Sequence, residues 1–209
     1  MAAKINPTLL LQFARAPLAG RVKTRMLPHL TATQACDLHC DLVLWTSATL
    51  ADSGLGDVEL SVAGDSAHPL FEQCRELGVG TLSPQCGADL GERMYRAIRD
   101  GLQRYTKVIL VGSDCPGIDR AYLAQARSAL DTAPLVLGPA QDGGYVLIGA
   151  REIHRELFAG IPWGTGCVYA DTVKSIRKLG LDWAELPVLA DVDRPEDLAA
   201  WLALRDRGA

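Results

Sequence analysis

The stretch Lys107-Val-Ile-Leu-Val-Gly-Ser-Asp-Cys-Pro116 decides how this chain folds. From Val108 to Val111 it is apolar and largely β-branched with no polar alternation, the pattern of a strand covered on both faces. Gly112 and Pro116 then break it and leave Asp114 just beyond the carboxyl end of a buried strand. That reading predicts a central strand over residues 107–111. In open α/β sheets ligands bind in the crevice outside the carboxyl ends of the strands, which puts Asp114 where chemistry is done.

Outward from this strand, strand and helix patterns alternate. Leu9 to Ala14 is a short apolar run entering a loop, as expected of a buried first strand. From Thr31, a candidate N-cap, Ala35, Leu38, Leu42, Trp45 and Thr49 recur at helical spacing, and the helix should stop before Gly54. Val58 to Ala63 alternates as a strand, Pro69 to Leu77 reads as a helix ended by Gly78, and a short strand is expected near Thr81. Asp89 to Arg104 puts Leu90, Met94, Ala97, Ile98 and Leu102 on one helical face. A helix over Asp119 to Leu130, strands over Leu135 to Leu137 and Tyr145 to Ile148, a helix over Ala170 to Leu179, a strand over Trp183 to Leu189 and a last helix from Pro195 to about Arg207 complete the order. Strands separated by helices imply one α/β domain over residues 1–209, with a mostly parallel, doubly wound sheet.

Composition sets limits. The 209 residues are 48% hydrophobic and 22% charged, enough apolar material for a sizeable core. A net charge of −4 argues against duplex nucleic acid or an anionic membrane as the partner. No apolar run reaches the ~18 residues of a membrane span, and Lys4 followed by Asn6-Pro7 does not resemble a signal peptide, so a cytoplasmic protein is expected. The six cysteines show no C-x-x-C pair or zinc spacing and are expected to be reduced core thiols. His29, His39, His68 and His154 fit no nucleophile or zinc pattern and are read as surface or core-edge residues.

Four motifs carry the chemistry. Ala14-Arg-Ala-Pro-Leu-Ala-Gly-Arg-Val-Lys-Thr-Arg-Met-Leu-Pro28 follows the first strand and holds Arg15, Arg21, Lys23 and Arg25 in an otherwise acidic chain. Arginine forks and a lysine point charge suit phosphate oxygens, and Gly20 allows close backbone approach, so an anion site is expected where the alternative is a solvated basic loop. It is neither a Walker A loop nor G-x-G-x-x-G. Asp114 offers a hard oxygen ligand for Mg²⁺ or Mn²⁺; the alternative is a turn carboxylate. Asp142-Gly143-Gly144-Tyr145 permits a tight turn over a ligand and equally an ordinary hairpin. Asp191 and Asp193 point the same way in an extended segment and could share a cation, while Asp193 could instead cap the last helix ahead of Pro195.

Taken in order, A-P-x-x-G-x-V-K-T-R, G-x-D-C-P, D-G-G-Y and D-V-D-x-P-E-D-L resemble the nucleotide-diphospho-sugar transferase superfamily, from Leu9 to about Leu202. The closest likeness is to a bacterial glycosyltransferase-like family linked to arsenosugar biosynthesis and related to the guanylyltransferases of molybdenum cofactor and 2-phospholactate. The resemblance implies a three-layer α/β/α, Rossmann-like GT-A fold and a Mg²⁺- or Mn²⁺-dependent transferase that takes a nucleotide and a small-molecule acceptor. It implies a nucleotide site at Ala14, Arg15, Pro17, Gly20, Lys23, Thr24, Arg25 and Ser113, and a metal site at Asp114, Asp191 and Asp193. The acceptor is expected at Asp142, Gly143, Gly144, Tyr145, Trp163 and Thr165, with Lys23, Arg25 and Asp114 catalytic. Tyr145 and Cys167 stand where those guanylyltransferases carry threonine and serine, so 2-phospholactate is not carried over as the acceptor. Nucleotidyl transfer from an NTP to a small phosphorylated or sugar acceptor, glycosyl transfer from an NDP-sugar and nucleotide binding without turnover remain the three functional expectations.

Overall fold

The computed structural model describes residues 7–208, and the expectation placed on Lys4 and Asn6 lies outside the described residues. Strand β1 (Thr8–Arg15) has seven of its eight residues buried. It leads through the cationic loop into α1 (Ala32–Ser53). That helix begins where the sequence says: the Thr31 hydroxyl accepts the Gln34 N–H at 3.2 Å, the Gln34 side chain accepts the Thr31 N–H at 2.9 Å, and Gly54 closes the helix at φ 62°. There follow β2 (Asp57–Ala63), α2 (Pro69–Glu76), β3 (Thr81–Pro84), α3 (Leu90–Leu102), β4 (Lys107–Val111) and α4 (Arg120–Ala129). Strands β5 (Leu135–Pro139) and β6 (Tyr145–Ala150), helix α5 (Val168–Lys178), strand β7 (Trp183–Glu185) and helix α6 (Leu198–Gly208) complete the chain.

The seven strands form one sheet in the order β3-β2-β1-β4-β6-β5-β7, so β4 is its middle strand as expected. Leu9 pairs in parallel register with Val108, whereas Leu110 faces Ile148 across an antiparallel pairing. Only β6 runs against the rest, because a hairpin joins it to β5. Its start, Tyr145, is thereby delivered to the same edge of the sheet as the carboxyl ends of β1 and β4.

Alternation along the strands builds two cores. Leu10, Leu60, Ile109 and Val136 face α1, α2 and α4, packing with Val43, Phe71 and Leu123. Leu9, Leu11, Leu110, Leu137 and Ile148 face α3 and α5, packing with Met94, Ile98 and Ile176. The result is the expected three-layer α/β/α arrangement. A third cluster joins Met26 of the cationic loop, Leu38 and Leu42 of α1, Val192 and Trp201 of α6. Among the described residues no helix is long and apolar enough to cross a membrane.

Several expectations shift. The α1 face is rotated: Thr46, Ser47 and Leu50 are buried, while Trp45 and Thr49 are half-buried, since the two polar residues find partners inside. Strand β7 ends at Glu185 because Pro187 cannot continue the ladder, leaving one isolated bridge between Ala140 and Leu189. Short 3₁₀ turns at Thr24–Met26 and Arg155–Phe158 have no periodic signal and escaped the sequence reading. All six cysteines are free thiols, but Cys86 and Cys167 are exposed rather than in the core.

Candidate functional site

The site is built from the ends of β1 and β4 toward the loops beyond them. Gln12, a polar residue fully buried in β1, donates to the Val43 carbonyl at 3.0 Å and to the Ser113 hydroxyl at 2.9 Å, and accepts from Ser47 at 2.7 Å. Ser113 in turn donates to the Phe13 carbonyl at 2.8 Å. This satisfied network fixes the turn after β4 against β1, so Asp114 projects from a rigid base.

The cationic loop closes onto that turn. Lys23 has φ 48°, the one positive φ at a non-glycine residue among the described residues. A left-handed conformation at such a residue costs ~1–2 kcal/mol and persists where surrounding contacts over-determine it. Here they do: Nζ donates to the Val192 carbonyl at 2.5 Å and lies 2.7 Å from Asp114 Oδ1. The second contact is an ion pair by distance but lies off hydrogen-bonding geometry, so Asp114 Oδ1 is enclosed without a hydrogen-bond partner. Two residues on, Arg25 pairs with Asp193 at 2.5 Å, and that bond, then the Asp193 charge, raises the guanidinium pKa further.

These residues line a cavity of about 610 Å³. Of the expected nucleotide residues, Ala14, Arg15, Lys23, Thr24, Arg25 and Ser113 are on its wall with Asp114 and Asp193; Pro17 and Gly20 are not. Five cations, Arg15, Arg21, Lys23, Arg25 and Arg93, face it against two carboxylates, which leaves an excess of positive charge for an anion to fill. Sequence reading missed Phe13, His39, Gln85, Leu90 and Arg93 here. His39, expected at the surface or the core edge, is buried; its Nε2 lies 3.0 Å from the Arg15 carbonyl and so carries the proton, and burial lowers its pKa. Arg93 has no motif of its own; its signal is its place at the start of α3, in the turn before the buried Met94.

A second cavity, about 210 Å³, adjoins the first through Phe13, Leu90 and Gly112. Asp142, Gly144, Tyr145, Trp163 and Thr165, five of the six expected acceptor residues, line it with Met94 and Val168. The sixth, Gly143, sits behind the wall. It has φ 87°, and a Cβ there would fall 2.1 Å from the Gly166 carbonyl oxygen, so only glycine lets the 142–145 turn dock on the 163–167 loop. Gly91 does the same for α3: a Cβ would lie 2.7 Å from the Trp163 ring. The Trp163 ring thus packs close against the helix, perpendicular to Tyr145 with ring centroids 6.4 Å apart.

A third pocket of about 160 Å³ holds Asp114, Asp142 and Asp191 together. Burial raises the Asp191 pKa first, and the charges of Asp142, Asp193 and Asp114 raise it further. An enclosed carboxylate oxygen without a hydrogen bond and a carboxyl strained by its neighbours' charge are donors that suit a hard divalent cation. The carboxylates are nevertheless not drawn up into a ready cage: among the described residues no group of three His, Cys, Asp or Glu stands at metal-binding spacing. Asp193 is turned to Arg25. It is not the cap of the last helix either. The N-cap position of the turn that leads into it is Arg194, and Asp197, three residues on, reaches back to accept the N–H groups of Asp193 at 2.9 Å and Arg194 at 2.7 Å.

Comparison with known proteins gives the fold a context. The bacterial family described as "Uncharacterized protein conserved in bacteria (DUF2064)" matches residues 46–165. No curated protein matches the sequence. A structure from Desulfovibrio desulfuricans G20, described provisionally as a nucleotide-diphospho-sugar transferase, is 31% identical, with 90% of this chain and 82% of that one covered and a TM-score of 0.77. At 13% identity and a TM-score of 0.56, the CMP:2-keto-3-deoxy-manno-octonic acid synthetase complexed with CTP shares the fold over 97% of this chain and 99% of its own. Rv0371c of Mycobacterium tuberculosis H37Rv, in complex with manganese, shares it at 18% identity and a TM-score of 0.50, over 94% and 97%.

Proposed function

We propose that this chain, which belongs to the bacterial family DUF2064, is a transferase acting on a nucleotide-activated substrate, like its 31%-identical relative by name, and that its reaction is nucleotidyl transfer from an NTP to a small acceptor. The observation that carries this reading is the convergence of five cations on one cavity that Asp114 also lines, next to a second cavity with no cation among the described residues. A triphosphate laid in the first cavity brings its α-phosphorus toward Gly112, where the cavities meet. As an acceptor hydroxyl arriving from the second bonds to that phosphorus through its oxygen, its proton passes to Asp142, the bond from phosphorus to the bridging oxygen breaks, and pyrophosphate leaves among Lys23, Arg25 and the neighbouring arginines. Positioning and charge neutralisation supply most of the rate in such reactions.

Lys23 and Arg25 are engaged with carboxylates before any ligand arrives. Phosphate oxygens replace those partners, and the released carboxylates of Asp114 and Asp193, with Asp191, are the groups that would hold Mg²⁺ or Mn²⁺. Bound there, the cation would offset phosphate charge as it develops on the leaving group.

The relative from Desulfovibrio favours a second reading by its name, glycosyl transfer from an NDP-sugar. One experiment separates the two. The purified protein is incubated with Mg²⁺, each NTP or several NDP-sugars, and a set of small acceptors, and products are read by mass spectrometry. Pyrophosphate release with a nucleotidylated acceptor supports the proposal. NDP release with a glycosylated acceptor supports the second reading, and nucleotide binding without either product leaves a binding module.

A further inference from the structure

The second cavity differs from the first in kind. Leu90, Met94, Trp163 and Val168 supply apolar wall, and among the described residues the only charged group on it is Asp142, a carboxylate. Asp142 already accepts the Gly144 N–H at 2.8 Å through Oδ1. It also lies in the pocket it shares with Asp114 and Asp191. Tyr145 adds a phenol kept neutral by burial, with its hydroxyl 3.9 Å from the Met94 sulfur.

An anion entering this cavity would give up water and meet Asp142, with no cation on the lining among the described residues. A neutral molecule meets an aromatic plate and one strong hydrogen-bond acceptor. The size is also informative: a cavity of about 150 Å³ accommodates a benzene ring, so 210 Å³ holds one substituted ring. The Trp163 plate is built in, since Gly91 exists in α3 without the Cβ that would push the ring away.

We infer that this cavity takes the acceptor, and that the acceptor is an uncharged, hydroxylated molecule of single-ring size with one apolar face, not a phosphorylated one. The apolar face lies on Trp163 and a hydroxyl donates to Asp142. The identification as acceptor rests on the nucleotide-transfer reading; the ligand class rests on the cavity alone.

The test is a binding comparison with methyl β-glucopyranoside and its 6-phosphate as matched probes, followed by ligand-observed NMR, with an NTP titrated in parallel by calorimetry. The wild-type protein should bind the neutral glycoside at least about tenfold more tightly than the phosphate. Trp163→Ala should lose the glycoside and keep triphosphate affinity, Trp163→Phe should restore much of it, and Asp142→Lys should reverse the preference toward the phosphate. Equal or tighter binding of the 6-phosphate by wild type, or binding of neither probe, overturns the inference. A Trp163→Ala variant that loses triphosphate as severely as glycoside also overturns it, since the ring would then be stacking the base. Glycoside preference without triphosphate binding in wild type would instead sink the nucleotide reading and leave the cavity's ligand class standing.

Discussion

Breaking the pair between Lys23 and Asp114 tests whether the cationic loop is locked to the turn after β4. Nζ and Oδ1 are 2.7 Å apart, with the lysine side chain 3% and the aspartate side chain 50% exposed. At that separation Coulomb's law gives ~6 kcal/mol with an effective dielectric constant of about 20 and ~1.5 kcal/mol with that of water. Half of Asp114 sees water, and the contact lacks hydrogen-bond alignment, so the attraction belongs near the lower bound. Lys23→Met also removes the charge-assisted bond to the Val192 carbonyl, a loss of ~1.5–3 kcal/mol that Asp114→Asn leaves intact. Urea denaturation of wild type, Lys23→Met, Asp114→Asn and the double variant isolates the pair. The coupling should be ~2 kcal/mol, with Lys23→Met the more damaging single change, and should shrink in high salt. A coupling below ~0.5 kcal/mol would refute the lock, because that is the limit of additivity for independent sites.

Other consequences follow from the same geometry. Asp191 has a raised pKa, so between its unfolded value of about 3.9 and its folded one the native state holds more protons and stability falls as pH rises. Asp191→Asn should therefore melt higher than wild type near pH 7 without metal, with the gap closing toward acid; equal melting temperatures at neutral pH would contradict the strain. Arg25→Ala should weaken triphosphate binding by ~1.5–3 kcal/mol and nucleoside binding hardly at all, measured by calorimetry, and equal losses would remove it from the phosphate site. Gly143→Ala must adopt φ 87° and displace the Gly166 carbonyl, costing at least ~1–3 kcal/mol in denaturant titration, whereas Gly144→Ala, whose added Cβ meets only the Asp142 side chain, should be milder. Thr31→Ala should lose ~1 kcal/mol and hydrogen-exchange protection in the first turn of α1.

Local chemistry explains what could be read from the sequence. The ends of α1 were legible because Thr31, Gln34 and Gly54 act within a few residues of each other, and β4 because a doubly covered strand has nothing polar to hide. The two cavities were only half legible. Lys23, Asp114 and Trp163 sit in motifs, but Phe13, His39, Leu90, Arg93 and Met94 reach the cleft from strand and helix faces that look like ordinary core. Whether a helical face ends on the sheet or on a cavity depends on where the neighbouring loops stop, which no periodicity records. The same limit hid the fate of Asp193: spacing could bring it to a cap or to a cation, and it was Arg25, 168 positions away, that took it.

The segment 190–193 has no regular secondary structure, yet it stitches the cleft shut. The Val192 N–H donates to the Asp114 carbonyl at 2.8 Å, the Val192 carbonyl accepts from Lys23, Cys115 reaches the Ala190 carbonyl and Asp193 holds Arg25. The segment's own anchor is the small cluster under α6, not the main sheet. The arrangement predicts a local opening: releasing Val192 and Trp201 would unmake both ion pairs while the strands stay paired, at a free energy below that of global unfolding. The exchange rates of the Val192 and Met26 amides, not those of β4, measure how often the cleft exists in its assembled form.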